Sequence, residues 1–411
     1  MSSGTFPRSS AAATRVRSRA PAAARAVLAL LQRLRAGTLT VRTPDGAMHR
    51  AAGAEQPELH AVLDVHDWSA FGATLRAGDI GFAESFMAGL WTTPQLADLL
   101  RLILANRAVV DKAIYGSWWG SLLHRLRHAR RRNTRHGSKR NIEAHYDLGN
   151  AFYRLWLDAS MTYSGAWFEG HRTRPLEEAQ AAKLRRAIAA TGVRPGERLL
   201  EIGCGWGALA EAAAREGMEV VGLTLSGEQL AWARARLARA GLAEHADLRL
   251  QDYRDVPDGP FDAIVSIEMF EAVGREYWDA YFHAVHRQLK PGGKACIQAI
   301  VIRDDLFERY VRSTDFIQRY VFPGGLLPSA TLFEQHARAA ALRVVERLAF
   351  GLDYAETLRR WRHAFLARLD EVRGQGFDER FVRLWEFYLA YCEAAFDAGN
   401  IDVVQFTLQR D

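Results

Sequence analysis

From residue 198 onward, short apolar runs alternate with stretches whose apolar positions recur at helical spacing. The runs Arg198–Ile202, Glu219–Thr224, 247–250, Phe261–Ile267, 294–302 and 402–408 read as strands. Helical periodicity covers 227–240 and 276–289, and two longer amphipathic segments cover 357–373 and 377–398. Lys290-Pro291-Gly292-Gly293 ends the second of these helices. Alternation on this scale predicts an α/β fold: a doubly wound parallel sheet with right-handed crossovers. Earlier in the chain the pattern is different. Val27, Leu30, Leu31 and Leu34 mark a helix over 22–35, followed by an alternating strand at 37–42 and the turn Pro44-Asp45-Gly46. Residues 62–65 and part of 68–75 read as extended, and 94–106 as a helix. The segment 21–120 is therefore expected to be a smaller α+β domain, with 141–411 as the large one.

Composition adds boundaries. A chain of 411 residues with 49% hydrophobic positions supports two or three packed domains. Residues 1–20, rich in Ser, Ala and Arg, read as a disordered basic tail. The formal net charge is only +6, but it is concentrated: the stretch from His124 to Arg140 holds no acid, and marks 121–140 as a basic linker. Each Lys or Arg near an anionic bilayer contributes about 1 kcal/mol. Nucleic acid would be drawn by the same charge. Trp118, Trp119, Leu122, Leu123 and Leu126 could add an interfacial apolar face. Cys204, Cys296 and Cys392 are scattered and odd in number, so neither a disulfide framework nor a metal site follows. No apolar run reaches the roughly eighteen residues of a membrane span.

The candidate chemistry starts at Leu199-Leu200-Glu201-Ile202-Gly203-Cys204-Gly205-Trp206-Gly207. A strand enters a glycine loop that opens a helix, and free N–H groups at that helix start can face a ligand. The spacing Gly-x-Gly-x-Gly, with an acid two residues ahead, differs from the dinucleotide pattern Gly-x-Gly-x-x-Gly. It resembles the S-adenosylmethionine loop of class I methyltransferases. Ligands of such sheets sit beyond the carboxyl ends of the strands. There the loop is joined by 224–229, 251–254 and 266–271. Thr224 and Gln229 stand where a nicotinamide site would want an acid. Asp252 and Tyr253 could hold an adenine by a hydrogen bond and a ring face, and Asp252 could equally be a helix cap.

Taken together, Asn141-Ile142-Glu143-Ala144-His145-Tyr146-Asp147, Met161-Thr162-Tyr163-Ser164, the glycine loop, Phe270-Glu271-Ala272-Val273-Gly274, and Tyr320-Val321-Phe322-Pro323-Gly324-Gly325 resemble the cyclopropane fatty acid synthase family, which includes mycolic acid methyltransferases. The resemblance implies S-adenosylmethionine as cofactor and unsaturated phospholipid acyl chains as substrate. It further implies a peripheral place on an anionic membrane surface at the cytoplasmic inner face, and no nucleic acid; a homodimer is left open. It implies cofactor contacts at Tyr163, Ser164, Leu199, Leu200, Glu201, Ile202, Gly203, Cys204, Gly205, Trp206, Gly207, Thr224, Leu225, Ser226, Gly227, Glu228, Gln229, Asp252, Tyr253 and Arg254. The family's base is a bicarbonate ion held by a Cys, a Glu, a His, a backbone amide and a Tyr. Glu271 and Tyr354 match the Glu and the Tyr, and Ile300 the backbone donor. Gly165 replaces the Cys, Gln298 the His, and Ala272 a common His after the Glu. Without bicarbonate, Glu271 would act directly or through water. Cys392 matches a cysteine often marked as active, although its place on an amphipathic helix reads as a buried thiol. Tyr163, Trp167, Phe168, Tyr320 and Phe322 are candidates for the wall around a chain carbocation, and Phe322-Pro323-Gly324-Gly325 for a lid. Which proton leaves decides the product: the expected cyclopropane, or a methyl-branched or methylene chain.

Overall fold

The computed structural model describes residues 20–114 and 148–411. The expected tail, linker and the 141–147 motif therefore lie outside the described residues, apart from Ala20.

The N-terminal unit has a four-stranded sheet of β1 (Ala36–Arg42), β2 (Met48–Ala52), β3 (Glu55–Val65) and β4 (Trp91–Thr92), in the order β2-β1-β3-β4. Four helices accompany it: α1 (Ala22–Leu31), α2 (Ser69–Met87), α3 (Leu96–Ala105) and α4 (Arg107–Ile114). The expected extended segment within 68–75 is instead the start of α2. The Asp67 carboxylate accepts the Ser69 N–H at 2.7 Å, and Ala70 and Phe71 are buried one turn in. Tertiary burial outweighs the weak local preference there. At Gly78 (φ 58°, ψ −132°) the α2 backbone leaves helical geometry, a conformation open to glycine because it lacks Cβ.

The large unit carries seven strands: β5 (Arg198–Ile202), β6 (Glu219–Thr224), β7 (Ala246–Leu250), β8 (Phe261–Ile267), β9 (Leu289–Ile302), β10 (Leu342–Ala349) and β11 (Ile401–Arg410). Their order is β10-β11-β9-β8-β5-β6-β7. The pairs from β9 to β7 are parallel, as the alternation predicts. β11 lies antiparallel between β9 and β10. β10 is the strand the apolar pattern does not reveal, because most of its side chains face solvent at the sheet edge. Among its helices are α5 (Leu176–Thr191), α6 (Ala208–Arg215), α7 (Gly227–Arg239), α8 (Trp278–Gln288), α9 (Asp304–Arg312), α10 (Phe316–Tyr320), α11 (Ala330–Ala339), α12 (Gly351–Ala367) and α13 (Glu379–Asp397). Ser226 caps α7 through the Gln229 N–H, and Asp378 caps α13 through the Phe381 N–H.

One apolar core joins the two units. Phe86, Trp91, Leu99 and Leu102 pack with Trp361, Phe387 and Leu389 of α12 and α13, and the Phe86 and Phe387 rings lie 5.8 Å apart. Beside this core, the fully buried Glu393 meets Arg359 at 3.1 Å and Arg362 at 2.9 Å. Arg101 of α3 reaches Asp397 of α13 at 2.6 Å. Buried charges of this kind are retained only when paired.

Candidate active site

Five parallel strands deliver their carboxyl ends to one side of the large sheet, and a cavity of about 610 Å³ lies against them. That size suits a small-molecule or chain-like ligand. At one end it is lined by Glu201, Ile202, Gly203, Cys204, Gly205 and Trp206, with Thr224, Leu225, Gln229, Asp252, Tyr253 and Arg254. Tyr163 and Ser164 join that wall. At the other it runs among Leu31, Leu39, Leu63, Phe71 and Leu100 of the N-terminal unit. Glu268, Glu271, Ile300, Tyr354, Tyr388 and Cys392 line it as well.

The glycine loop fits a tightly held ligand. Gly203 has φ +90°, and a Cβ there would come 3.2 Å from Met269; a Cβ on Gly205 would project into open space. The Oε2 of Glu201 is buried with no hydrogen-bond partner, an acceptor left for a donor-bearing ligand. Burial pushes the Glu201 carboxyl up to about 8 despite the nearby Lys183. Trp206 is fixed by its Nε1–H to Asn150 at 2.6 Å. The Asp252 carboxylate lines the cavity and caps the turn through the Arg254 N–H while binding that guanidinium at 2.5 Å.

Several expected contacts are not on the wall. Leu199 and Leu200 point from β5 into two apolar cores, because successive strand residues alternate faces. Gly207 packs against Ala233, with room for no more than a hydrogen. Ser226 is spent on its cap, and Gly227 and Glu228 are exposed at the start of α7. Among the expected aromatics, Tyr163 and Phe322 line the cavity, whereas Phe168 packs with Ala166 and Ala179, and Trp167 and Tyr320 face elsewhere. Tyr320 gives its hydroxyl hydrogen to Glu84 at 2.5 Å. Tyr354, Tyr388 and Phe396 stand in their place, with the Tyr354 and Phe396 rings stacked at 4.5 Å.

The expected proton-handling residues converge, but not on one another. Glu271 accepts the Ile300 N–H, and its Oε2 is buried without a partner. Gln298 and Tyr354 turn instead to Glu268. Its Oε1 accepts Gln298 Nε2 at 2.7 Å and the Gly165 N–H at 2.9 Å; its Oε2 accepts the Tyr354 hydroxyl at 2.6 Å. Gln298 is aimed by Gln405, whose Nε2 donates to its Oε1 at 3.0 Å, and Arg186 in turn donates to Gln405 at 2.8 Å. Lys183, fully buried, donates to Ser164 Oγ at 2.5 Å and lies within electrostatic reach of Glu268 and Glu201. Desolvation brings this ammonium down to about 8. Burial raises the Cys392 thiol, so it is a neutral part of the wall. Glu268, Lys183 and Gln405 were not singled out in the sequence. Only Glu268 left a signal there, as an acid directly after the fourth strand.

Desolvation, then the neighbouring Glu268 charge, push Glu271 up to about 8 from the ordinary 4.5. A carboxyl raised in the folded state stabilises fully below its unfolded value, and that share is lost as pH rises to its folded value. Glu271→Gln is therefore expected to flatten the fall in melting temperature between about pH 5 and about pH 8; a thermal melt series reads this directly.

Comparison with known proteins identifies the family. Residues 133–406 match the family model described as mycolic acid cyclopropane synthetase. The tuberculostearic acid methyltransferase UfaA1 of Mycobacterium tuberculosis is 40% identical over 371 residues, 88% of this chain and 86% of that one. The cyclopropane-fatty-acyl-phospholipid synthase of Escherichia coli K12 is 34% identical over 90% of this chain and 93% of its own. Among solved structures, mycolic acid cyclopropane synthase CmaA1 complexed with SAH and CTAB superposes with a TM-score of 0.62 at 34% identity, covering 66% of this chain and 98% of that one. The chain therefore belongs to the mycolic acid cyclopropane synthetase family and is an S-adenosylmethionine-dependent methyltransferase of class I fold.

Proposed function

We propose that the protein methylates the double bond of an unsaturated acyl chain carried by a phospholipid. One observation carries the reading: the cavity that begins at the glycine loop continues, lined by apolar side chains, through the acid pair and into the N-terminal unit. A polar acceptor would not need that length of greasy wall. The Escherichia coli relative, matched along nearly its whole length, bears phospholipid in its name. The basic run around Arg130 supplies charge that an anionic bilayer would attract. No helix among the described residues is long and apolar enough to cross a membrane.

When bound, S-adenosylmethionine supplies an electrophilic sulfonium methyl, and transfer of that methyl to an alkene carbon leaves a carbocation on the chain. Glu201, the Gly203–Trp206 backbone, Gln229 and Asp252 would hold it. Tyr163 and Tyr388, joined hydroxyl to hydroxyl at 2.7 Å, and Tyr354 present ring surface to the chain. Such faces stabilise a cation by roughly 0.5–2 kcal/mol each. Alignment of the alkene in the cavity supplies more, since orientation can be worth several kcal/mol.

Two products fall within this chemistry. Closure to a ring is what the family resemblance implies. Gly165 and Gln298, however, alter the surroundings of the group that takes the proton, the step at which the outcomes divide, and so keep a methylene chain or a methyl-branched alkene as the alternative. Purified protein, cofactor and unsaturated phospholipid vesicles are expected to yield acyl chains one CH₂ heavier by mass spectrometry, and NMR then separates ring protons from an alkene CH₂ or a branch methyl beside a retained double bond. Unchanged lipid across varied double-bond positions would overturn the reading. Filling the N-terminal part of the cavity gives a further test. Ala70→Phe adds a ring at a buried wall position. It is expected to reduce kcat/KM for long chains by about tenfold or more, as a loss of 1–3 kcal/mol of binding would, with cofactor affinity unchanged.

A further inference from the structure

Resting on the methyl-transfer reading, we infer that Glu268 is the resident base of this enzyme: its carboxylate occupies the anion cradle and takes the proton that quenches the chain cation, so that no dissociable oxyanion is needed.

The cradle is built from positions where the resemblance puts a bound bicarbonate, and here they are filled from within. Three donors converge on one carboxylate: the Gly165 N–H, the Gln298 amide and the Tyr354 hydroxyl. Oε1 takes two of them and is saturated. Oε2 takes only the Tyr354 hydrogen, which leaves it one lone pair for a substrate proton. Glu268 lines the same cavity as the glycine loop and Tyr354.

The residues around it change as a set. A Cβ at 165 would lie 2.8 Å from two carbons of the Tyr354 ring, so a side chain there and this tyrosine position exclude one another. Gln298 in place of an imidazole offers an amide whose polarity is fixed by Gln405, itself fixed by Arg186. Its NH₂ must therefore face Glu268, as a carboxylate requires. The backbone is bent to deliver the group. Glu268 has φ +50°, a left-handed conformation that non-glycine residues rarely hold, and its N–H is tied to the Gln298 carbonyl at 2.8 Å. Strain of this kind costs about 1–3 kcal/mol and gathers where placement of a side chain matters.

Glu271 cannot take the same part. It has one donor, an orphaned Oε2, and a carboxyl raised to about 8, so it is neutral at physiological pH. Two neighbouring carboxyls thus divide into an acceptor and an acid, the pattern expected when environments push paired groups apart. Desolvation also raises Glu268, against the pull of Lys183, and this makes it a stronger acceptor. The step balances. A C–H bond of the chain breaks, its proton bonds to Glu268 Oε2, and its electron pair forms the new C–C or C=C bond that fills the cationic carbon. The proton later leaves to water.

The test uses the full-length protein with [13C]bicarbonate as probe. Wild type is expected to turn over at the same rate in CO₂-free buffer and with added bicarbonate, and to show no bicarbonate binding by 13C NMR. Glu268→Gln, of the same shape, is expected to lose about a hundredfold in kcat, within the 10²–10⁴ range of a lost general base, with its cofactor affinity kept and a lower melting temperature, because Lys183 loses a counter-charge. Glu268→Gly empties the cradle and is expected to bind bicarbonate without cofactor or lipid, and to regain activity as bicarbonate is added. Wild-type turnover that depends on bicarbonate, or a Glu268→Gln variant retaining most of its rate, would overturn the inference. A wild type that leaves every lipid unchanged would instead overturn the methyl-transfer reading, and the NMR comparison would still decide who occupies the cradle.

Discussion

Gly165→Ala is expected to cut kcat by about a hundredfold, the size of loss that a misplacement near 1 Å can cause. The added methyl would sit 2.8 Å from the Tyr354 ring. That ring cannot simply turn aside, because it is buried and stacked on Phe396. Relief has to come from a shift of Tyr354 along α12, which lengthens its 2.6 Å hydrogen bond to Glu268. The Gly165 N–H on the same carboxylate moves with it. Overpacking should also lower stability by about 1–3 kcal/mol. Steady-state kinetics on vesicles beside a urea melt would separate the two effects. Unchanged kcat would mean that Tyr354 and Glu268 do not act together.

The largest effect on stability belongs to Lys183→Met. At neutral pH the ammonium, with a value near 8, is still mostly charged, and it faces Glu268 and Glu201 from inside the core. Methionine fills similar space but leaves Glu268 without its counter-charge, and Ser164 without its donor at 2.5 Å. Breaking a buried pair from one side costs about 3–5 kcal/mol. Part of that cost would be met by protonation of Glu268. The acid limb of the pH–rate profile is therefore expected to move upward, since Lys183 holds the Glu268 value down against burial. A denaturant midpoint equal to wild type would show that the carboxyls are already neutral.

Much of the fold was legible from residue order. Period-two and period-3.6 patterns located the parallel strands and their helices, because burial on both sheet faces leaves a strong apolar signal. β10 was not legible, since an edge strand with exposed side chains carries little of it. Residues 68–75 misled because small residues such as Ala70, Gly72 and Ala73 have little periodicity until their packing partners are known. The cofactor end of the site was readable in outline from Glu201 to Trp206. The reaction end was readable only as a set of positions. Glu271 drew attention by its motif, while Glu268, three residues earlier, is distinguished by partners at 165, 298 and 354 that only the fold assembles. Lys183 and Gln405 were invisible for the same reason: a lone lysine in an amphipathic helix ordinarily points to water.

The cavity wall is drawn from both ends of the chain: Leu63 and Phe71 precede the glycine loop by over a hundred residues, while Tyr388 and Cys392 follow it by nearly two hundred. On the proposed reading, the stretch before the glycine loop would set the length of chain that the cavity accepts. Grafting residues 21–120 from a relative with different chain-length preference should retune which lipids are modified while the bond made stays the same, a modular route to tailored membrane fluidity.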